Sequence, residues 1–102
     1  MDFLEYLETI RYKIIVCHSF EERNLIMETC HDYDVYGDAV FEDDLKTSNP
    51  DYLYPVYDGT EMHGYMKQCT LADTGKDLVP FEEVAAHICN PYDGSSGLDG
   101  LI

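Results

Sequence analysis

The chain has 102 residues, with 21 aspartates and glutamates against six lysines and arginines, and a formal net charge of -15 at pH 7. Hydrophobic residues make up 45% of it, which is enough for a core and excludes a disordered acidic tail, and the length fits one domain. The excess of carboxylates disfavours direct binding to nucleic acid or to an anionic membrane and favours a cationic partner surface.

The first residues predict a short amphipathic helix over residues 2–11. Phe3, Leu7 and Ile10 recur at helical spacing, with Glu5 on the other side. This segment is acidic and has no continuous apolar stretch, so we expect neither a signal peptide nor a membrane span in it. A cytoplasmic location is therefore predicted.

A buried strand followed by a capped helix is predicted next. Residues 12–17 (YKIIVC) form a short, β-branched apolar run that is typical of a buried strand. Ser19 and Glu22 then match an S-x-x-E capping box, in which each side chain accepts a hydrogen bond from the other residue's backbone N–H. A helix over residues 20–31 follows, with the aliphatic stem of Arg23 lying along its apolar stripe.

The segment after this helix predicts a second strand and then a loop. Residues 35–41 (VYGDAVF) resemble a strand, in which Gly37 indicates a bulge. Residues 42–51 are polar and contain Pro50, which favours a loop. Carboxylates at the end of the strand and in this loop are therefore expected to be exposed and unpaired.

The clearest local signal is a hairpin. Two strand-like runs, residues 52–57 and 61–66, lie on either side of Asp58-Gly59. An Asp-Gly pair suits the positive φ angles of a two-residue type I′ turn. We therefore expect the two strands to be antiparallel.

The end of the chain predicts a turn, a helix and a tail. Residues 71–77 favour a turn, which a short apolar step at Leu78 and Val79 follows. Apolar residues at helical spacing then predict a helix over residues 80–88, with Pro80 suited to its first position. Residues 90–102 are rich in Gly, Ser and Asp and are expected to form a flexible tail.

Together these elements predict the α+β class, with an antiparallel sheet of about four strands covered by two or three helices. A single domain is expected over residues 1–89. The sheet is expected to contain residues 12–17, 35–41, 52–57 and 61–66, and the main helices to cover residues 20–31 and 80–88.

Cysteine and histidine residues occur without the spacing of a catalytic or zinc site. Cys17-His18 and Cys30-His31 are adjacent in sequence, but adjacent side chains diverge on a strand or a helix. The C-x2-C and H-x3-H spacings of structural zinc sites are missing. We therefore expect no enzymatic activity and no cofactor, and the cysteines to pack as small hydrophobic residues.

One segment resembles the front of a calcium-binding loop. Residues 32–37 (DYDVYG) match its first positions, and Asp43 falls at the twelfth. However, Tyr36 offers only its backbone carbonyl, Asp43 is shorter than the usual Glu, and Pro50 interrupts an exiting helix. No metal requirement is predicted, and calcium binding at Asp32–Asp43 stays open as an alternative.

Acidic and aromatic residues are interleaved from Asp32 to Glu61, where Lys46 is the one cationic residue. Tyrosine is enriched at interfaces because it combines rigid apolar area with a polar tip, although alternate tyrosines on strands also pack in cores. Carboxylates along strand edges and loops can imitate a phosphate backbone. The predicted partner-binding residues are Asp38, Glu42, Asp43, Asp44, Asp51, Tyr36, Tyr52 and Tyr54.

From Tyr12 to Ile88 the order of elements resembles that of small phage-encoded acidic proteins. The resemblance rests on the strand and capped helix KIIVCHSFEER, the hairpin YLYPVYDGTEMHGY and the closing VPFEEV. Some proteins of this kind are anti-CRISPR proteins, several of which occupy the basic surface that an RNA-guided nuclease uses to read DNA. The resemblance implies an inhibitor in the cytoplasm of an infected bacterium, and it transfers no individual residue.

The expected function is therefore to bind the basic nucleic-acid-binding surface of a CRISPR nuclease or a related defence protein, partly by acidic mimicry of DNA. The first alternative is a regulatory adaptor that binds a host protein through an apolar face. Calcium binding and sequestration of an anionic nucleotide are weaker alternatives, because a nucleotide needs a basic pocket and the chain has few cations. Acidity that serves only solubility is the simplest explanation of the charge.

Overall fold

The structure, a computed structural model, describes residues 2–88, so the predicted tail at residues 90–102 lies outside the described residues. It has the predicted α+β class, with four helices and a four-stranded sheet. The helices are α1 (Phe3–Thr9), α2 (Phe20–Asp32), α3 (Ala39–Lys46) and α4 (Phe81–Ile88). The strands are β1 (Ile14–Val16), β2 (Tyr52–Tyr57), β3 (Met62–Met66) and β4 (Leu78–Pro80), and a 3₁₀ turn spans Leu71–Thr74.

The sheet has the strand order β3-β2-β1-β4 and is mixed. Strand β2 is antiparallel to both β1 and β3, whereas β4 is parallel to β1. The expectation of a wholly antiparallel sheet is therefore wrong in this detail. The short apolar step at Leu78 and Val79 is the missing strand, and three residues are too few for alternation along the sequence to reveal it.

All four helices contribute to one hydrophobic cluster on one face of the sheet. Ile15, Tyr57, Met62 and Val79 supply the buried residues of the four strands in this cluster. Their neighbours in sequence alternate to the opposite face, where Ile14 and Val56 are paired across β1 and β2 and are also buried. The main hydrophobic cluster thus lies between the sheet and the helices.

The prediction of a strand over residues 35–41 is wrong. Only Gly37 makes a strand-like bridge, to Met62 of β3, and the chain then enters α3. Asp38 caps this helix, because its side chain accepts a hydrogen bond from the Phe41 N–H at 2.8 Å. Aspartate is a favoured N-cap, and Phe41 and Leu45 have the spacing of one helical face.

The hairpin between β2 and β3 is present, but the predicted two-residue type I′ turn is not. That turn requires positive φ at both central residues, and of Asp58 and Gly59 only Gly59 has it, at 101°. The connection instead closes with a hydrogen bond from the Asp58 N–H to the Glu61 carbonyl at 3.1 Å. The Asp58 carboxylate organises the loop by accepting the N–H groups of Thr60 and Glu61, each at 2.8 Å.

Helix capping by acidic side chains recurs at α1 and α2. Asp2 and Glu5 form a complete capping box at α1. At α2, Ser19 accepts the Glu22 N–H at 3.2 Å as predicted, but the Glu22 carboxylate accepts the His18 N–H at 2.7 Å instead of that of Ser19. The carboxylates of Asp2, Glu5 and Glu22 thus accept hydrogen bonds from backbone N–H groups at helix starts. The positive end of the helix dipole lies there and favours their negative charge.

A buried ion pair joins α2, α3 and β2. Arg23 is 1% exposed and Asp44 8% exposed, and Arg23 Nη1 lies 2.8 Å from Asp44 Oδ2. Asp44 also accepts the backbone N–H groups of Asp51 at 2.7 Å and Tyr52 at 3.0 Å. Arg23 in turn donates to the Tyr52 carbonyl and to the Asn24 side chain.

The surroundings of this pair explain its charge state. Burial lowers the pKa of the Arg23 guanidinium, and the charge of Asp44 opposes that effect. The guanidinium also lies over the Phe20 ring, 4.8 Å from its centre. Because the starting pKa of arginine is so high, Arg23 stays charged, and removal of Asp44 would leave a buried cation without a counter-ion.

Replacing Asp44 by Ala is therefore expected to destabilise the protein by about 3–5 kcal/mol, as for other buried pairs that lose one partner. Asp43→Ala is the matched control, since Asp43 is its exposed neighbour on the same helix. A change at an exposed site is expected to stay within about 0.5 kcal/mol. Urea unfolding followed by circular dichroism measures both, and equal stabilities of the two variants would contradict the role of the pair.

Candidate functional site

The structure divides the five predicted acidic residues into two groups. Asp43 and Asp51 are exposed, as expected. Asp44 is buried against Arg23, so the expectation that it is exposed and unpaired is wrong. The reason is that it lies on the inner side of α3, where the sequence was expected to form a loop.

Asp38 and Glu42 are half-buried and also have internal partners, so they too are not unpaired. Asp38 caps α3, and its second oxygen lies 2.7 Å from His63 Nδ1. One Glu42 oxygen lies 2.8 Å from His31 Nε2 and accepts the Gly37 N–H at 2.6 Å. These two carboxylates hold the entry to α3 in place.

The predicted tyrosines differ in exposure. Tyr36 is 50% exposed, whereas Tyr52 and Tyr54 are half-buried. Tyr52 packs against the hydrophobic cluster, so part of it belongs to the core. Tyr33, which is 41% exposed, and Val40, which is 61% exposed, were not among the predicted residues. Their exposure follows from the α2–α3 connection and from the outer side of α3, which the expected strand concealed.

Exposed carboxylates and large side chains thus meet along the end of α2, the α2–α3 connection and the outer side of α3. We call this the acidic–aromatic surface. It is defined by the exposed residues of these elements, Asp32, Tyr33, Asp34, Tyr36, Val40 and Asp43.

Local contacts order this surface. The Tyr36 ring lies 5.0 Å from the His31 ring, centre to centre, and the Tyr33 ring lies 5.7 Å from that of Phe3 in α1. Asp34 has a φ of 61°, a left-handed conformation that aspartate and asparagine adopt more readily than most residues. The tyrosines are therefore held by ring contacts at their inner sides while their outer sides stay exposed.

His63 lies between two carboxylates. Its Nδ1 is 2.7 Å from Asp38 Oδ2 and its Nε2 is 2.6 Å from Asp58 Oδ2. A neutral imidazole donates from only one nitrogen, whereas an imidazolium donates from both. The hydrogen bond to Asp58, together with that to Asp38, raises the pKa of His63. In its charged form, His63 donates to both carboxylates and so links the cap of α3 to the β2–β3 connection.

The structure bears on two possible metal sites, the calcium loop considered at Asp32–Asp43 and a cluster in the β2–β3 hairpin. Asp32 is the last residue of α2 and Asp43 lies within α3, so helix occupies part of the segment that a calcium loop would need. Asp58, Glu61 and His63, which sequence reasoning missed, offer three ligand atoms within 4.8 Å of one another. Internal hydrogen bonds already use the Asp58 and His63 atoms, so a metal ion would have to displace them.

The cysteines with described surroundings include two that are buried in the core. Burial raises the pKa of both Cys17 and Cys30 to about 12. Both are therefore thiols at neutral pH, and a thiol is a poor nucleophile. His18, the neighbour of Cys17, is exposed.

The His63 contacts predict a pH effect on stability. Because the folded-state pKa lies above the ordinary value of 6.5, this contribution is fully present below pH 6.5 and is lost as pH rises through the folded-state pKa. NMR titration of the imidazole is expected to give a pKa above 6.5, and Asp58→Asn is expected to lower it. A His63 pKa at or below 6.5 in the wild type would contradict the arrangement.

Comparisons with known proteins found no match: no protein-family model, no curated protein and no solved structure matches this chain. Within residues 2–88, no helix is long and apolar enough to cross a membrane. Any function therefore has to be argued from the chemistry of the surface itself.

Proposed function

We propose that this protein is an inhibitor of the anti-CRISPR type, which binds the basic nucleic-acid-binding surface of a CRISPR nuclease or a related defence protein. Binding through the acidic–aromatic surface covers that site and blocks DNA recognition, partly by placing carboxylates where DNA phosphates would lie. The observation that carries the proposal is the meeting of exposed carboxylates with exposed tyrosines on one part of a chain of net charge -15.

The charges of the surface support this partner. Asp32, Asp34 and Asp43 are exposed, so their carboxylates are available to lysine and arginine side chains of another protein. Exposed charges act mainly by accelerating association, and their effect weakens with salt. Carboxylates that are bonded within the chain are not available in this way, so only the exposed ones are proposed to contact another protein.

The large side chains support a contact surface rather than charge alone. Tyr33, Tyr36 and Val40 expose about half of their area beside these carboxylates. Tyrosine residues often dominate binding energy at the centre of an interface, where charged neighbours form the rim. On this proposal Tyr36 slows dissociation, and the aspartates set the association rate.

An adaptor that binds through an apolar face is the second candidate. Leu78 is 49% exposed and Met66 47% exposed, and they lie on the two outer strands of the sheet. An interface of this kind would be largely insensitive to salt, whereas the proposed inhibitor associates more slowly as salt increases. Salt dependence therefore separates the two candidates once a partner is in hand.

The nucleotide-sequestering alternative loses support because two of the six cationic residues already have partners. Arg23 is buried with Asp44, and Arg11 pairs with Glu8. A basic pocket for an anionic nucleotide would have to be built from the four lysines.

The proposed function is tested with purified nuclease–guide complexes of several CRISPR types. The wild-type protein is expected to reduce plasmid cleavage by at least one of them and to compete with target DNA for binding. Competition would be measured by fluorescence anisotropy of labelled DNA. If the protein binds none of these complexes at low salt, inhibition of these nucleases is excluded.

The surface is tested with the triple variant Asp32→Asn, Asp34→Asn and Asp43→Asn. With a nuclease–guide complex that the wild type binds, we expect association at low salt to slow by about tenfold or more and its salt dependence to flatten. Asparagine suits the left-handed backbone at position 34. Tyr36→Ala is expected to speed dissociation by about thirtyfold, which corresponds to a hot spot of about 2 kcal/mol.

The matched control is the triple variant Asp73→Asn, Asp77→Asn and Glu82→Gln, which makes the same change in net charge. These exposed residues lie near β4 and α4, and β4 and β3 form opposite edges of the sheet. The control is expected to retain most of the association rate. Equal slowing by the two triple variants would exclude a localised surface.

A further inference from the structure

The outer edge of β3 is only partly covered. At its start, the Met62 N–H donates to the Tyr36 carbonyl and the Asp38 N–H donates to the Met62 carbonyl, both at 2.9 Å. The chain then leaves the edge, because Asp38 caps α3. The covering segment therefore pairs with β3 at one residue only, and residues 64–66 extend beyond it.

The next backbone groups on this edge belong to Gly64. Residues of an antiparallel strand direct their N–H and C=O groups alternately toward each neighbour, and those of Met62 point outward. Gly64 lies opposite Pro55, which has no N–H, as expected for a pair without mutual hydrogen bonds. The outward Gly64 groups have no hydrogen-bond partner among residues 2–88.

Met66 continues the same outward row. Its neighbour Lys67 donates its N–H inward, to the Asp51 carbonyl at 3.0 Å, which leaves the Met66 N–H on the outer side. The Met66 carbonyl accepts the Cys69 N–H at 2.9 Å. The free edge thus offers both groups of Gly64 and the donor of Met66.

Two clefts meet at this edge. One is an open, mostly apolar cleft of about 480 Å³, and it includes Tyr65, Met66 and Cys69 in its lining. The other, of about 160 Å³, lies toward α3 and is lined in part by Asp38 and Val40. Gly64 and Tyr52 line both clefts. An added strand along this edge would therefore lie beside both clefts.

The edge also lacks the usual protection. Natural edge strands often carry lysine, proline or an inward charge that prevents pairing with another chain. Residues 64–66 read Gly-Tyr-Met and carry none of these. Gly64 cannot gain a side chain without collision, because a Cβ there would lie 2.6 Å from the Phe41 ring and 2.7 Å from the Tyr52 side chain.

We propose that the β3 edge at Gly64–Met66 accepts an extended, lysine- or arginine-bearing segment of the partner protein as an added strand. Main-chain hydrogen bonds to the added strand would supply affinity. The two clefts would select which side chains the segment carries. Charge complementarity selects this occupant, since the chain has a net charge of -15 and the exposed Asp51 lies beside the end of β3, where its carbonyl accepts the Lys67 N–H. A second copy is disfavoured, because each copy carries a net charge of -15.

This inference rests on the proposed function for the cationic nature of the partner, and it adds the mode of binding. Strand β3 and the acidic–aromatic surface are continuous, because the Tyr36 carbonyl accepts the Met62 N–H. A single partner segment can therefore lie along the edge while the carboxylates of α3 contact its cationic side chains.

The test compares Met66→Pro with Met66→Ala in the otherwise complete chain. Proline removes the outward N–H, and it is tolerated at edges where that N–H faces solvent. Alanine removes the same side chain and keeps the donor. The probe is a fluorescent eight-residue peptide that alternates Lys and Val, and a second peptide with every central residue N-methylated serves as its control.

At low salt we expect the unmethylated peptide to bind the wild type and Met66→Ala, and to bind Met66→Pro at least tenfold more weakly. The methylated peptide is expected to bind weakly to all three. Amide exchange of Gly64 and Met66 in the wild type is expected to slow on peptide addition, a readout that stands even if Met66→Pro fails to fold.

Equal peptide affinity of the proline and alanine variants, or unchanged exchange at Gly64, would overturn the added strand. If the Asp32, Asp34 and Asp43 triple variant still loses nuclease binding in that case, the proposed function survives without this mode. If the wild type dimerises and Met66→Pro abolishes the dimer, the edge binds a second copy of this chain. That result would overturn the proposal that a cationic segment of another protein binds there.

Discussion

The buried Arg23–Asp44 pair is the contact on which the arrangement of the outer residues depends. It fixes α3 against α2 and the start of β2, because Asp44 also accepts two backbone N–H groups from the residues that begin β2. With Phe41 and Asp44 turned inward, the helix presents Asp43 outward. A contact that is costly to bury thus determines which side of α3 faces solvent.

The acidic residues of this protein have two separate roles. Asp2, Asp38 and Asp58 satisfy backbone donors at helix starts and in the β2–β3 connection. These carboxylates contribute to folding, and their number weakens any argument from total charge alone. Asp43 and its exposed neighbours do not accept such backbone hydrogen bonds from residues 2–88. Their negative electrostatic potential would attract a cationic partner. The position of a carboxylate, more than the total net charge, therefore decides whether it is free to contact another protein.

Elements with strong local signals were predictable, namely α1, α2, α4 and the hairpin strands. Alternation, helical spacing and caps act within a few residues and are visible in the sequence. Helix α3 was missed because Gly37, Val40 and Phe41 also fit a weak strand, and only Asp38 as a cap distinguishes the two. Strand β4 and the burial of Asp44 depend on distant partners, Ile14 and Arg23, that no local pattern reveals.

The central claim is that a partner contacts the α2–α3 connection, the outer side of α3 and the free edge of β3 as one continuous surface. The most direct test of this claim compares hydrogen exchange of the protein alone with that of its complex with a nuclease that it binds. The account predicts slower amide exchange within residues 33–40 and at residues 64–66, with little change near the Leu71–Thr74 turn and α4. Protection confined to that turn and α4 would contradict it.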